Sequence, residues 1–68
     1  MYKERLAENL KQLIGNNSVY QVAKAIGMQQ KQLSRYINAE QEIGLGNLVK
    51  IADYFNESID ILIGRREY

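Results

Sequence analysis

The sequence predicts an all-α protein, a compact bundle of five short helices within 68 residues. Three observations lead to this prediction. Apolar residues recur at intervals of three and four, the spacing that places them on one face of a helix. Serine and glycine stand where helices would begin and end. No stretch alternates apolar and polar residues as a half-buried strand does.

The first two helices are defined by apolar stripes and by their end signals. The first is predicted at 3–14 and has one apolar face, formed by Leu6, Leu10, Leu13 and Ile14. Gly15 can adopt the left-handed conformation that ends a helix. The second opens at Ser18, which with Gln21 three positions later makes a capping box. It ends at Gly27, and its inner face is formed by Val22, Ala23 and Ile26.

A third helix is predicted at about 29–37, with a buried stripe formed by Leu33, Tyr36 and Ile37. At 100° per residue, Lys31 and Arg35 lie nearly opposite Leu33. Gln32, Ser34 and Asn38 flank these two basic residues, and Gln29 and Gln30 lie in the first turn, where side chains can reach forward past the helix end. The third helix therefore presents a polar face without any carboxylate.

A fourth helix follows at about 45–55, after a loop at 38–44 that lacks periodicity. Its inner side is predicted to consist of Leu45, Leu48, Val49, Ala52 and Phe55. Asn56 ends it, because asparagine tolerates the left-handed conformation.

The fifth helix is predicted at 59–63, capped by Ser58 and stopped by Gly64. Neither a linker nor a repeat divides the chain. The sequence therefore predicts one domain at 1–64 and a polar C-terminal tail at 65–68.

Charge is distributed unevenly along the chain. Residues 9–39 contain four basic residues and no Asp or Glu, a net charge of +4, whereas the rest holds five basic and eight acidic residues, a net charge of −3, so that the total is +1. The four basic residues are Lys11, Lys24, Lys31 and Arg35. A positive middle segment indicates a local anionic partner, and chance clustering is the alternative.

Composition argues against several classes of protein. The chain has no Cys and no His, so we expect no disulfide, structural zinc site, metal centre or haem cofactor. The commonest general base and the strongest nucleophile are also missing, and the acidic residues show no paired spacing, so we expect no enzyme and no small-molecule site. No apolar run reaches membrane-spanning length and no signal peptide opens the chain, so we expect no membrane partner and a cytoplasmic location.

The segment "AIGM" joins the second and third helices as a helix-turn-helix does. Ala23 is small where the two helices approach, and Gly27 can take the positive φ of the turn. The outer face of the third helix is then free to enter a groove. Glutamine can pair bidentately with adenine, and Lys31 and Arg35 can donate to guanine or to phosphate. The alternative interpretation is a glutamine-rich face that contacts only solvent.

Two segments resemble the helix-turn-helix domains of the phage repressor and Cro type, called XRE-like: "VAKAIGM" at 22–28 and "LVKIADYFNESIDILIGR" at 48–65. The resemblance covers about residues 5–64. It implies a lambda-repressor-like bundle that binds double-stranded DNA, commonly as a homodimer on a two-fold symmetric operator. A small transcriptional regulator, such as a repressor, is the expected function.

The resemblance also implies roles for individual residues. The family's base-reading positions fall on Gln29, Gln30, Lys31, Ser34 and Arg35. Its positions that contact the DNA backbone fall on Ser18, Val19, Gln32 and Asn38. Two apolar residues near the C-terminus, Ile61 and Ile63, are candidates for a dimer interface, although the tail could equally cover them.

Some residues depart from the family's pattern. Valine at position 19 replaces a polar residue that bonds a phosphate, and Ala39 stands where glycine is usual. Glu40 and Glu42 would repel the DNA backbone if the family's geometry held. Val19, Glu40 and Glu42 favour the alternative function, a protein–protein interaction module that kept the fold and lost strong DNA binding.

Overall fold

The computed structural model describes residues 2–66 and confirms the all-α prediction, with no strand among the residues described. Five helices follow one another: α1 (Tyr2–Ile14), α2 (Val19–Ile26), α3 (Gln30–Ile37), α4 (Leu45–Phe55) and α5 (Ile59–Leu62). They form a bundle of 28 × 23 × 23 Å. Each predicted helix is present, with ends within one residue of the expected positions.

Every helix contributes to one apolar core. α1 packs on α3 and α5, α2 packs on α3 and α4, and α4 packs on α5. The largest fully buried side chains are Leu6, Leu10, Leu33, Tyr36, Ile51 and Leu62. No polar or charged side chain among the described residues, other than the tyrosine, is buried. The bundle is therefore stabilised chiefly by burial of apolar surface.

Left-handed residues end the helices, as predicted for three glycines, whose φ angles are 56° at Gly15, 88° at Gly27 and 81° at Gly64. At Gly64 a side chain would also be excluded sterically, because an added Cβ would lie 2.9 Å from the Cβ of Arg5. The end of α5 therefore lies directly against α1.

The inner side of α4 differs from the prediction at three positions. Leu45 and Val49 were expected to face inward, but they are 72% and 39% exposed, whereas the fully buried Ile51 was not included. Leu45 is the first residue of the helix and lies about 70° from the mean direction of the buried side chains of Leu48, Ile51 and Ala52. No preceding helical turn covers a side chain at this position, so the apolar pattern alone overestimated its burial.

The predicted cap of α5 is only partly correct. Ser58 occupies the N-cap position, but its hydroxyl makes no capping bond and instead accepts a hydrogen bond from Arg66 at 3.5 Å. The backbone N–H groups of Arg65 and Arg66 donate to the carbonyl of Asp60, at 2.8 and 3.1 Å. The first half of the predicted tail thus folds back on α5. Positions 67 and 68 of that tail lie outside the described residues.

Candidate nucleic-acid interface

The turn between α2 and α3 fixes the two helices relative to each other. The hydroxyl of Ser18 accepts the backbone N–H of Gln21 at 3.3 Å and so caps α2, although the side chain of Gln21 makes no return bond. At the other end, Met28 N–H donates to the carbonyl of Ala23 at 2.9 Å, and Gly27 takes the positive φ that this bond requires. Ala23 is itself buried in the core.

The orientation of α3 follows from its buried side. Leu33 and Tyr36 are fully buried and Ile37 packs against the core, so the opposite side of the helix faces solvent. Lys31 and Arg35, one helical turn apart, are both exposed on that side. The helix has no Asp or Glu. Its outer face therefore carries two positive charges and no compensating negative charge.

Three further polar side chains of this region are accessible to solvent. Gln29 is the N-cap residue of α3, with φ −70° and ψ 142°, and its side chain makes no capping hydrogen bond. Gln30 is exposed in the first turn, and Ser34 is half-exposed. We call these three side chains, together with Lys31 and Arg35, the recognition face.

The four residues expected near a DNA backbone lie in different environments. The oxygen of Ser18 is engaged in capping α2, and Val19, half-buried, packs against the core. Asn38 is exposed at the end of α3. The amide nitrogen of Gln32 donates to the hydroxyl of Tyr36 at 2.7 Å and, more weakly, to the side-chain oxygen of Gln41 at 3.4 Å. Of the four, only Asn38 is both exposed and unengaged through its side chain.

The two isoleucines considered for a dimer interface lie on α5 or next to it. Both are half-buried rather than exposed, and Ile63 packs against the core. The carbonyl of Ile61 accepts a hydrogen bond from the amide of Asn9 at 3.0 Å. The bundle thus already covers part of this apolar surface.

Sequence reasoning missed two polar residues beside the recognition face. Asn47, in the first turn of α4, donates from its amide to the hydroxyl of Tyr36 at 2.9 Å. Gln41, in the loop before α4, accepts from Gln32. No local pattern marks Asn47, because the same helix also carries Lys50 and Asp53 and because the partner of Asn47 lies 11 positions away, beyond the range of helical spacing. Nothing in the sequence pattern marks Gln41.

Two further features of the described residues are relevant to the class of protein. None of the helices in this part of the chain has the length and apolar character needed to cross a membrane. Within residues 2–66, no group of three or more acidic or other ligating side chains is arranged to hold a metal ion.

The sequence profile of the helix-turn-helix family matches residues 1–62. The chain therefore belongs to the XRE-like helix-turn-helix family, whose members are DNA-binding regulators. Comparisons with curated proteins and with solved structures found no significant match.

Proposed function

We propose that this protein binds double-stranded DNA sequence-specifically, with α3 in the major groove, and regulates transcription as a dimer on a palindromic operator. The recognition face carries this proposal. Its five side chains are Gln29, Gln30, Lys31, Ser34 and Arg35, which are exposed or half-exposed while the opposite side of α3 is locked in the core. An α-helix with such a face fits the width of the major groove.

The chemistry of the recognition face suits base edges. The amides of Gln29 and Gln30 each offer a donor and an acceptor, which can pair with N6 and N7 of adenine. Lys31 and Arg35 can donate to O6 and N7 of guanine or to phosphate oxygens, and the hydroxyl of Ser34 suits either kind of base. Because α3 has no carboxylate, nothing on this helix repels the phosphates that border the groove.

Contacts to the DNA backbone are proposed at the ends of α2 and α3. The first N–H groups of a helix lack partners within the helix, so the main chain near Ser18 and Val19 can donate to a phosphate even though valine has no polar side chain. The exposed amide of Asn38 can donate after α3, and Gln32 can do so from its edge. These neutral donors would set the register of α3 in the groove.

Dimerisation is proposed because one copy has few cationic contacts to offer. Two basic residues lie on the recognition face, so electrostatic attraction to a single half-site is weak. Two copies on adjacent half-sites would combine their affinities. The half-buried Ile61 and Ile63 are the proposed contact between copies. A transcriptional regulator of this kind would act in the cytoplasm, beside the DNA.

Selection from a random pool of DNA duplexes tests binding, sequence preference and dimerisation together. We expect an enriched motif with two-fold symmetry, whose half-sites lie about 10 base pairs apart or a multiple of that. A single enriched half-site would contradict the dimer. Failure to bind any duplex even at low salt would contradict DNA binding and favour the protein–protein module.

Variants of the two exposed basic residues then locate the surface. Lys31→Ala and Arg35→Ala should each weaken binding to the selected duplex and reduce the slope of log affinity against log salt by about one for each phosphate that the variant no longer neutralises. Lys50→Ala is the charge-matched control, because Lys50 is an exposed lysine on α4. If the control weakens binding as much as the two variants do, DNA does not bind selectively through α3.

A further inference from the structure

The hydroxyl of Tyr36 lies at the centre of a small polar network beside the recognition face. It accepts hydrogen bonds from Gln32 Nε2 at 2.7 Å and from Asn47 Nδ2 at 2.9 Å. The same nitrogen of Gln32 also donates to Gln41 Oε1 at 3.4 Å. The network therefore connects α3, the loop after it and the first turn of α4.

The tyrosine ring and the tyrosine hydroxyl have separable roles. The residue is only 2% exposed, so its ring serves the apolar core. A phenylalanine would fill the same space, since the two residues differ only by the hydroxyl. The hydroxyl's protein partners are the half-buried side chains of Gln32 and Asn47, which lie at the edge of the bundle. The hydroxyl therefore orders side chains at the surface.

We propose that Tyr36 is a positioning residue for DNA binding, which holds the amide of Gln32 ready for a backbone phosphate. This proposal rests on the proposed function. The amide nitrogen of Gln32 carries two hydrogens, of which one is held by the short bond to Tyr36. The other makes only the long, exposed bond to Gln41, which a phosphate oxygen can replace.

The composition of the network is consistent with this role. Gln32, Gln41 and Asn47 are uncharged amides, so the network itself adds no negative charge near a phosphate, and the repulsion in this region comes from Glu40 and Glu42 on either side of Gln41. Gln32 also follows Lys31 directly on α3, which places the held amide next to the recognition face. A glutamine fixed before binding loses less rotamer freedom on docking than a freely moving one.

The variant Tyr36→Phe tests the proposal, because it removes the hydroxyl and keeps the ring. We expect affinity for the duplex selected by the unaltered protein to fall about 3- to 10-fold, the effect of immobilising one long side chain. The slope of affinity against salt should stay unchanged, because no cationic group is removed. Tyr54→Phe is the matched control, since Tyr54 is an exposed tyrosine on α4 that contacts Phe55 through its ring. The affinity of the Tyr54→Phe protein for the same duplex should be unchanged.

A double-mutant cycle distinguishes positioning from a general effect on the fold. Gln32→Ala should also weaken binding, and adding Tyr36→Phe to it should cause no further decrease, because the tyrosine acts through that amide. Additive decreases in affinity would overturn the proposal. So would a Tyr36→Phe protein that is unfolded at the temperature of the binding assay, because the hydroxyl would then serve the fold itself.

Side-chain amide signals in NMR spectra provide a readout without DNA. In the free protein, Tyr36→Phe should shift the side-chain amide signals of Gln32 and Asn47, whereas Tyr54→Phe should leave them in place. Unshifted signals would overturn the network. If the unaltered protein binds no duplex, the proposed function fails, whereas unchanged affinity in Tyr36→Phe overturns the positioning role alone.

Discussion

Ala39, which follows the C-cap residue of α3, is held in a costly conformation. Its φ is 56°, and it allows Glu40 N–H to donate to the carbonyl of Arg35 at 2.8 Å. Asn56 makes the same kind of helix end after α4 with a φ of 53°, but asparagine tolerates this region better than alanine does. The Cβ of an L-residue costs about 1–2 kcal/mol there.

Ala39→Gly should therefore stabilise the protein by about 1 kcal/mol, because relief of the Cβ contact outweighs the greater freedom of glycine in the unfolded chain. Thermal unfolding should shift upward by about 4–8 °C for a chain of this size. Ala25→Gly is the matched control, since Ala25 is exposed inside α2, and this change should destabilise by about 1 kcal/mol. A decrease of stability in Ala39→Gly would show that its conformation is not strained.

Gln30 is the residue at which specificity is best separated from stability. It is exposed in the first turn of α3. Gln30→Ala should change the preference at one base pair by about 1–3 kcal/mol, measured by repeating the selection with the variant, and should leave thermal unfolding nearly unchanged. Unfolding of the variant would show instead that Gln30 is structural.

Leu33→Ala should reduce the free energy of unfolding by about 2–5 kcal/mol, because Leu33 is fully buried.

At the scale of elements, α5 depends on its neighbour α1. It has four residues, too few for a helix to be stable alone. The amide of Asn9 on α1 donates to the carbonyls of Ile61 and Leu62 at 3.0 and 2.8 Å, so one side chain satisfies two acceptors at the end of α5. The close approach of Gly64 to Arg5 lies in the same region.

Asn9→Ala should therefore reduce the free energy of unfolding by about 1–3 kcal/mol, chiefly because the Leu62 carbonyl loses its donor, whereas the Ile61 carbonyl still accepts the backbone N–H of Gly64 at 3.1 Å. Urea unfolding measures this change directly. Gln12→Ala is the control, because it removes an exposed amide from the same helix and should change stability by less than about 0.5 kcal/mol. Equal effects of the two substitutions would mean that the two bonds contribute nothing specific.

These elements also show what the sequence could predict. The five helices were predictable because apolar spacing and terminal glycines act over three or four residues, as Leu33 and Gly27 illustrate. The contacts of Asn9 and Asn47 join residues 11 to 53 positions apart, which no local pattern encodes. The outer face of α3 could be predicted from Leu33 alone, since fixing the buried side of a helix fixes the opposite side. The hydrogen bond from the Gln32 amide to the Tyr36 hydroxyl could not be predicted from the sequence.

On the scale of the whole molecule, the two signs of charge meet beside the recognition face. Lys31 and Arg35 project from α3, and the loop that follows carries the exposed Glu40 and Glu42. If DNA lies along α3, its phosphates pass near this loop, and the two carboxylates oppose binding. Their effect should weaken as salt increases, because exposed charges are screened.

The double substitution Glu40→Gln with Glu42→Gln tests this arrangement. We expect affinity for the selected duplex to rise several-fold at low salt, and the gain to shrink as ionic strength rises towards about 0.5 M, where the screening length falls to about 4 Å. Asp53→Asn is the control, because it removes an exposed carboxylate from α4 and so adjusts only the net charge of the molecule. An equal gain per charge in the control would show that DNA responds to net charge. A gain confined to the loop variant would place the duplex along α3, with the loop beside its phosphates.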